Sequence, residues 1–147
     1  MSDTQASLQP LARLVVRSGV GIGGLSAADR DAALALCAAA LGDGMHTEAQ
    51  ANYALRRWLD GPARWLDVDH VELRRWLVDR GLWQRDGYGR AYARTPASTL
   101  DAALRRWVDA LAALDVAAWV DAQRAVERQR RDRHRAAWQA RVAAGPR

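Results

Sequence analysis

Three glycines near the start of the chain have the spacing of a dinucleotide-binding loop. Gly19, Gly21 and Gly24 satisfy the pattern GxGxxG, between a strand-like run at 14–16 and a predicted helix. Glycines at this spacing let the backbone approach a pyrophosphate at a helix N-terminus. That fold needs several alternating strands and helices, and this chain has almost no other strand-like segment. We therefore expect residues 19–24 to be a flexible glycine linker, and we predict no cofactor.

The residue types that most often carry catalysis or bind metals are few and scattered. His46, His70 and His134 have no metal-ligand spacing with the single cysteine, Cys37, so no metal site is predicted. Cys37 lies in an Ala/Leu-rich helical pattern, where a buried apolar role is expected. Glu48 fits the first turn of a helix better than acid–base work beside His46. Without a nucleophile elbow, phosphate loop or paired acid motif, the sequence predicts a non-enzymatic protein.

Arginine is the residue type whose placement indicates a binding role. All 22 basic side chains are arginine, and residues 124–147 hold eight of them against two acids, a net charge of +6. Residues 1–123 hold fourteen arginines and fifteen acids, a net charge of −1. The formal charge of +5 therefore belongs to the C-terminal tail. A basic tail of this kind is a candidate for contact with nucleic-acid phosphates.

Length and composition predict a stable core without disulfides, metal or a membrane span. A chain of 147 residues suits one domain with an extension and buries enough surface to fold. The first residues lack the basic stretch and apolar run of an export signal, and charges interrupt the long apolar stretches. We expect a cytoplasmic bacterial protein with no membrane contact.

Capping residues and apolar spacing predict a mainly α fold with a winged-helix-like core, three helices plus a β-hairpin. Ser26 caps a first helix that runs to about Leu41. Thr47 caps a second helix that runs to about Leu59. The core is followed by two longer C-terminal helices.

The third helix and the hairpin after it give the local pattern of a winged helix. Asp67 or Asp69 caps this helix, and Gly81 ends it in the left-handed conformation that glycine favours. A hairpin follows at once. Its arms carry Leu82 and Trp83 on one side and Ala91 and Tyr92 on the other, and its turn carries Gly87 and Gly89.

Two further helices are predicted after the hairpin. Thr95 and Pro96 begin the fourth, whose apolar stripe is typical of a helix that packs on its own domain or forms an interface. The stripe consists of Leu100, Leu104, Trp107, Leu111 and Leu114. Asp115 caps the fifth, whose apolar side carries Val116, Trp119, Val120 and Val126. Residues 127–135 contain no apolar side chain, so we expect a solvated, projecting helix or partial disorder there.

The predicted organisation has four parts. Residues 1–25 form an N-terminal segment or linker, and residues 26–95 form the winged-helix-like domain. Residues 96–126 form a helical extension packed on the core or at an interface. Residues 127–147 form an Arg-rich C-terminal helix or tail.

Several strings in the middle of the chain resemble a known bacterial module, domain of unknown function 2087. They are HTEAQAN at 46–52, LRRW at 55–58, DHVELRRWLVDRGL at 69–82 and YAR at 92–94. The family shows a YTE-x-EVN opening, an LRR-x-LVD-x-G helix and a YWR-like strand, and the resemblance covers roughly residues 29–94. His46 replaces the usual tyrosine, and residues 61–66 look like an insertion. Because the family occurs alone and attached to helix-turn-helix regulators, the resemblance implies an association with transcription.

The first functional hypothesis is a transcription-associated module that contacts nucleic acid weakly through its wing and tail. The third helix of a winged helix normally enters the major groove, but here its N-terminal end is acidic, at Asp67, Asp69 and Glu72. We therefore expect weak or no base readout. The candidate contact residues are Arg74, Arg75, Arg85, Arg90, Arg94, Arg128, Arg130, Arg131, Arg133 and Arg135.

The second hypothesis is a protein interaction or dimerisation module that does not bind DNA. In this case the stripe of the fourth helix, from Leu100 to Leu114, and the apolar side of the fifth would dock a partner or a second copy. Packing of that stripe onto its own domain is an equally open alternative.

Overall fold

Six helices and three short strands are present in the computed structural model, which describes residues 7–88 and 90–146. The helices are α1 (Gln9–Val15), α2 (Ala27–Ala38), α3 (Glu48–Asp60), α4 (His70–Asp79), α5 (Ala102–Ala112) and α6 (Val116–Ala144). The strands are β1 (His46–Thr47), β2 (Trp83–Arg85) and β3 (Ala91–Arg94), in the sheet order β1-β3-β2. The predicted mainly α fold class is confirmed. The order α2-β1-α3-α4-β2-β3 is consistent with a winged-helix-like core, which α5 and α6 follow.

The central element is α2, against which α1, α4 and α5 all pack. Its N-cap is Ser26, whose hydroxyl accepts a hydrogen bond from the Asp29 amide at 3.2 Å. Every residue from 32 to 38 is buried. A helix that is apolar on all sides belongs in the interior of a domain. The helix is shorter than predicted: it ends at Ala38, whereas the sequence predicts an end near Leu41.

Two indole groups from other elements complete the hydrogen bonds at the buried end of α2. The Trp58 indole of α3 donates to the Leu36 carbonyl at 3.1 Å, and the Trp83 indole of β2 donates to the Ala38 carbonyl at 3.1 Å. The last carbonyls of a helix have no partner within it, and leaving one buried and unpaired is costly. These two tryptophans therefore tie α3 and the sheet to α2.

The N-terminal segment differs from the strand that the sequence predicts at 14–16. Residues 14 and 15 lie in α1, where Leu11, Leu14 and Val15 are buried against the core. Apolar side chains three and four positions apart share one face of a helix, and this spacing outweighs the β preference of the valines.

The glycine-rich stretch is bound to the core, in contrast to the flexible linker expected. The Val20 amide donates to the Trp65 carbonyl at 3.0 Å, and the Val20 carbonyl accepts from the Asp67 amide at 2.8 Å. Ile22–Gly24 forms a short 3-10 turn, and the Arg30 guanidinium donates to the Ile22, Gly23 and Leu25 carbonyls at 3.0–3.3 Å. The burial of Val20 and Ile22 holds the segment in place.

The capping predictions for α3 and α4 are confirmed. Thr47 and Gln50 form a reciprocal capping box, with contacts of 3.1 and 2.9 Å. Of the two predicted caps for α4, Asp69 is the one used, and its carboxylate accepts from the Glu72 amide at 2.8 Å. Gly81 follows the helix with φ +85°, the left-handed conformation predicted for it.

The predicted hairpin is also confirmed, and one strand was missed. Trp83 pairs with Arg94, and Arg85 pairs with Tyr92, in an antiparallel register. Gly89 lies outside the described residues, so its role in the turn stays a prediction. The strand β1 contains only two residues, which pair with β3. So short a segment has no alternation of apolar and polar residues by which to recognise it.

The fourth helix begins later than predicted. Residues 97–99 form a short 3-10 turn, and α5 begins at Ala102. Asp101 caps α5 by accepting from the Leu104 amide at 3.0 Å. An aspartate at this position satisfies an orphan helix N–H, which Pro96 with its preset backbone cannot do.

A single arginine joins α2, α4 and α5. Arg80, directly after α4, donates to both carboxylate oxygens of Asp31 at 2.8 and 3.0 Å and to Asp101 at 2.8 Å. The hydrogen bond from Arg80 holds the pKa of the Asp101 carboxyl below its usual range, with help from the Leu104 amide. Asp101 thus caps one helix and pairs with the end of another.

We predict that Trp83→Phe destabilises the protein more than Trp107→Phe does. Both indoles are at least 94% buried, at 1% and 6% exposure, and both lose the same ring atoms. Only the Trp83 substitution leaves a buried carbonyl without its donor, which costs about 1–3 kcal/mol in addition. Urea denaturation followed by circular dichroism measures the two free energies of unfolding. Equal losses would show that the indole hydrogen bond contributes nothing.

Candidate nucleic-acid interface

Three of the predicted contact arginines line one cleft between α4 and the sheet, which we call the α4–sheet cleft. Arg74 and Arg75 come from α4, and Arg85 comes from β2. The cleft has a volume of about 280 Å³, and Val71, Val78, Asp79 and Tyr92 complete its lining. The helical spacing of α4 and the short distance to β2 after Gly81 bring these side chains together.

Arg74 is held in a fixed position. Its guanidinium donates to Glu48 at 3.2 Å and to Asn52 at 2.5 Å, and it lies over the Tyr92 ring at 5.4 Å from the centroid. A cation over an aromatic face is attracted by the ring quadrupole. Arg74 therefore joins α4 to α3 and the sheet, and Glu48 offsets its charge.

Arg75 and Arg85 contribute positive charge that no carboxylate offsets directly. Both side chains are exposed, and neither guanidinium forms a hydrogen bond or ion pair with another described residue. Asp79 is the only acid among the residues that line the described cleft. The α4–sheet cleft thus keeps a net positive charge.

The hairpin of β2 and β3, which the sequence predicts to be a wing and which we call the wing, presents an aromatic and a cationic side chain at its tip. Tyr88 is 85% exposed, and the Arg90 guanidinium lies 5.9 Å from the centroid of its ring. Asp86 holds the turn by accepting from the Tyr88 amide at 3.2 Å and the Arg90 amide at 2.8 Å. Arg94, at the base of the wing, pairs with Asp43. Tyr88 was missed from sequence, although its position between two turn glycines is a signal of an exposed tip.

The long helix α6 is attached to the rest of the chain through its first half only. Val116 and Val120 are buried, and Arg64 pairs with Asp121 at 3.0 Å. The Arg124 guanidinium donates to the Val15 and Arg17 carbonyls at 2.8 and 2.9 Å, at the end of α1. Burial, with the nearby charge of Arg64, lowers the pKa of Arg124.

Beyond Glu127 the helix projects into solvent. Every side chain from 128 to 146 is exposed, and the helical part of this stretch is about 25 Å long at 1.5 Å per residue. The sequence left helix or partial disorder open for this region, and the structure is helical. Five predicted contact residues fall within eight positions of it: Arg128, Arg130, Arg131, Arg133 and Arg135.

Local ion pairs support the projecting helix. Glu127 accepts from Arg130 at 2.8 and 3.0 Å and from Arg131 at 3.1 Å, and Asp132 lies 3.9 Å from Arg135. The hydrogen bond from Arg130 lowers the pKa of the Glu127 carboxyl to about 2. Arg128 and Arg133 form no ion pair with any described residue.

Apolar side chains on α6 are also exposed. Trp138 and Val142 are each 60% exposed, and Val126, predicted on the packed side, is 62% exposed. The Val126 prediction is wrong, because six residues separate it from the buried Val120, which places the two side chains on different sides of the helix. Trp138 follows the buried Val120 by eighteen residues, about five turns, so both side chains lie on the same side of the helix.

The leucine stripe of α5 packs inside the chain itself. Leu104, Trp107 and Leu111 are buried, at 1%, 6% and 3% exposure, while Leu100 and Leu114 are partly buried at its ends. An interface made by this stripe would require α5 to leave α2. Beside it, Ala38, Leu82, Pro96 and Leu100 help to line an apolar groove of about 650 Å³.

The arginines of the cleft and those of the tail are held by different parts of the chain. β2 contacts α4 and β3, whereas the main contacts of α6 are with α1. The structure therefore brings Arg74, Arg75 and Arg85 together, places Arg90 and Arg94 on the adjoining wing, and carries the five tail arginines on a separate projection.

Other reactive groups show no assembled site among the described residues. Burial raises the pKa of the Cys37 thiol. His46 contacts the Gly42 carbonyl at 3.0 Å through its ring. No group of three His, Cys, Asp or Glu side chains within 7–88 and 90–146 is arranged to hold a metal ion. None of the helices described has the length and apolar character of a membrane span.

The fold and surfaces define a small, mainly helical protein with a three-stranded antiparallel sheet and an arginine-rich projection. Its residues 26–94 match the family described as an uncharacterized protein conserved in bacteria, DUF2087. The match runs from the cap of α2 to the end of β3 and confirms the resemblance seen in the strings at 46–94. No curated protein and no solved structure matches the chain significantly.

We predict that Glu127→Gln loosens the projecting part of α6 at pH 7 and has a much smaller effect at pH 2, where a large fraction of the carboxyl is already protonated. The folded-state pKa of Glu127 is depressed, so its contribution is present above the ordinary glutamate range and lost as pH falls towards about 2. Cα chemical shifts of residues 127–135 measure helicity at both pH values. Asp132→Asn, which removes the same charge from a 3.9 Å contact, should have a smaller effect. An equal Glu127→Gln effect at both pH values would contradict the prediction.

Proposed function

We propose that this protein is a non-enzymatic, cytoplasmic bacterial module, associated with transcriptional regulation, that contacts nucleic-acid phosphates through its wing and its projecting helix. The observation that carries the proposal is the exposed half of α6. Five arginines lie within eight positions there, on a helix whose side chains are all exposed from residue 128. Lysine and arginine contacts to phosphates release counterions and supply most of the affinity for nucleic acid.

The distribution of charge supports this role for α6. Residues 124–147 carry a net charge of +6, whereas residues 1–123 carry −1. A near-neutral body gives little general attraction for a polyanion, so the projecting helix dominates the electrostatic field that steers association. Arginine side chains at 128, 130, 131 and 133 point to different sides of the helix, which suits a helix surrounded by the two strands of a groove.

The wing supplies the second contact of the proposal. Its tip combines the exposed Tyr88 ring with Arg90, a pair that can stack on a base or sugar and neutralise a phosphate.

The N-terminal end of α4 carries Asp69 and Glu72, which disfavour insertion into a groove. Binding through phosphates with little base readout is the mode that this arrangement favours.

The proposal predicts that neutralising the tail weakens duplex binding. Arg128, Arg131, Arg133 and Arg135 are all changed to Gln, and fluorescence anisotropy measures affinity for a short labelled duplex across a salt titration. If all four side chains contact phosphates, the slope of log affinity against log salt falls by about 3 to 4. The affinity at low salt falls in parallel.

A control of equal charge comes from exposed arginines elsewhere in the body. Arg13, Arg56, Arg57 and Arg106 lie on α1, α3 and α5 and are likewise changed to Gln. This variant should keep most of the affinity and slope. No duplex binding by the natural chain at low salt, or equal losses in the two variants, would remove the proposal.

A second candidate function, interaction with a protein partner or a second copy without DNA binding, is favoured by one observation. Trp138 and Val142 are 60% exposed, and Trp138 lies on the side of α6 that packs against the body further up. Exposed aromatic and aliphatic groups of this size are frequent at protein interfaces.

Sedimentation equilibrium distinguishes the self-association form of this alternative. It predicts that the natural chain is a dimer and that Trp138→Gln with Val142→Gln is a monomer, because the apolar contact between helices is lost. A monomeric natural chain at its highest soluble concentration would exclude self-association through α6.

A further inference from the structure

We propose that the α4–sheet cleft is a binding site for a single phosphoryl group, held by Arg75 and Arg85. This site would deepen the proposed function. It depends on that function only if the phosphoryl group belongs to a nucleic acid. Free phosphate and small phosphorylated molecules present the same tetrahedral oxyanion. The recognition chemistry is therefore shared by the two sources.

The charge and geometry of the cleft carry the first part of the argument. Three guanidiniums line it, and Arg74 is already committed to Glu48, Asn52 and the Tyr92 ring. Arg75 and Arg85 have no acceptor among the described residues. Guanidinium groups match the oxygens of a phosphate as paired donors, and two of them can bind one anion from two sides.

Tyr92 adds a hydrogen-bond donor without a protein partner to the lining of the cleft. The residue is only 3% exposed, and its hydroxyl forms no hydrogen bond with any described residue. No buried side-chain oxygen or nitrogen of the described residues is both unpaired and sealed from solvent. The hydroxyl of Tyr92 is therefore open to solvent, and the residue lines the cleft. A phosphoryl oxygen there would accept a hydrogen bond from this hydroxyl, as it would from the two guanidinium groups.

The size of the cleft limits the ligand to a small group. Its volume of about 280 Å³ lies just below the range of about 300–1,000 Å³ that is typical of sites for whole small molecules. Its lining is mainly polar, apart from Val71 and Val78. A phosphoryl group fits such a space, and Arg74 already lies over the ring of Tyr92, the only aromatic residue of this lining. Asp79 disfavours anions, so the site depends on both unpaired arginines.

Titration with inorganic phosphate tests the site directly. Spectra of the arginine Nε–H groups and of amides near the cleft are recorded on the full chain, with sodium chloride of equal ionic strength as reference. We expect saturable shifts that disappear in Arg75→Gln with Arg85→Gln. They should persist in Arg105→Gln with Arg106→Gln, which removes the same charge from exposed positions of α5. Tyr92→Phe should weaken phosphate binding about two- to tenfold, the effect of one hydrogen bond.

Two outcomes of the titration would overturn the proposal. One is the absence of saturation in the natural chain, and the other is saturation that is unchanged when Arg75 and Arg85 are replaced. Thermal unfolding checks that this variant is folded, which its exposed positions favour.

Duplex affinity identifies the source of the phosphate. If nucleic acid supplies it, the Arg75/Arg85 variant loses more duplex affinity than the Arg105/Arg106 variant, and phosphate competes with the duplex. If a small phosphorylated molecule supplies it, the two variants bind duplex equally while only one binds phosphate. A natural chain that binds phosphate but no duplex would retain the cleft and remove the proposed function.

Discussion

The arrangement of this protein depends on the hydrogen bonds at the buried end of α2. A helix buried on all sides cannot leave its last carbonyls to water, and here indoles from two different elements supply the donors. Trp58 positions α3, and Trp83 positions the sheet, so both are set relative to the same few atoms of α2. The α4–sheet cleft exists because α4 and β2, one turn apart in sequence, are held on this common support, with Arg80 fixing the end of α4 to α2 and α5.

Two surfaces carry the positive charge, and they differ in how firmly the rest of the protein holds their arginines in place. The arginines of the cleft and the wing lie on packed elements, and Arg74 is held in place by three neighbouring side chains. The arginines of the tail lie on α6, whose last hydrogen bonds to another part of the described chain are those of Arg124 with the end of α1. Beyond that point helix formation rests on propensity and on pairs such as Glu127 with Arg130. The cleft is thus suited to a defined small group, and the tail to an extended polyanion.

Much of the fold followed from local signals, and the failures have physical reasons. Ser26, Thr47 and Asp69 cap helices as predicted because a short polar side chain before an apolar repeat satisfies orphan amides wherever the helix lies. The order of Gly19–Gly24 was missed because it arises from Val20 pairing with a connector more than forty residues away. For the site, the arginines were named from sequence, but their grouping was not. Which of them are offset by acids depends on contacts such as Arg94 with Asp43 that no spacing rule reveals.

The indole of Trp83 also sets which parts of the wing can vary over evolutionary time. Residue 83 lies at the base of the hairpin, where a change of side chain would disturb the α2 carbonyl and the sheet together. At the tip, Tyr88 and Arg90 are exposed and their amides donate to Asp86, so substitutions at these two positions alter the surface without disturbing the interior. Homologous chains can therefore diverge at the tip and acquire different ligands while the frame beneath is inherited unchanged.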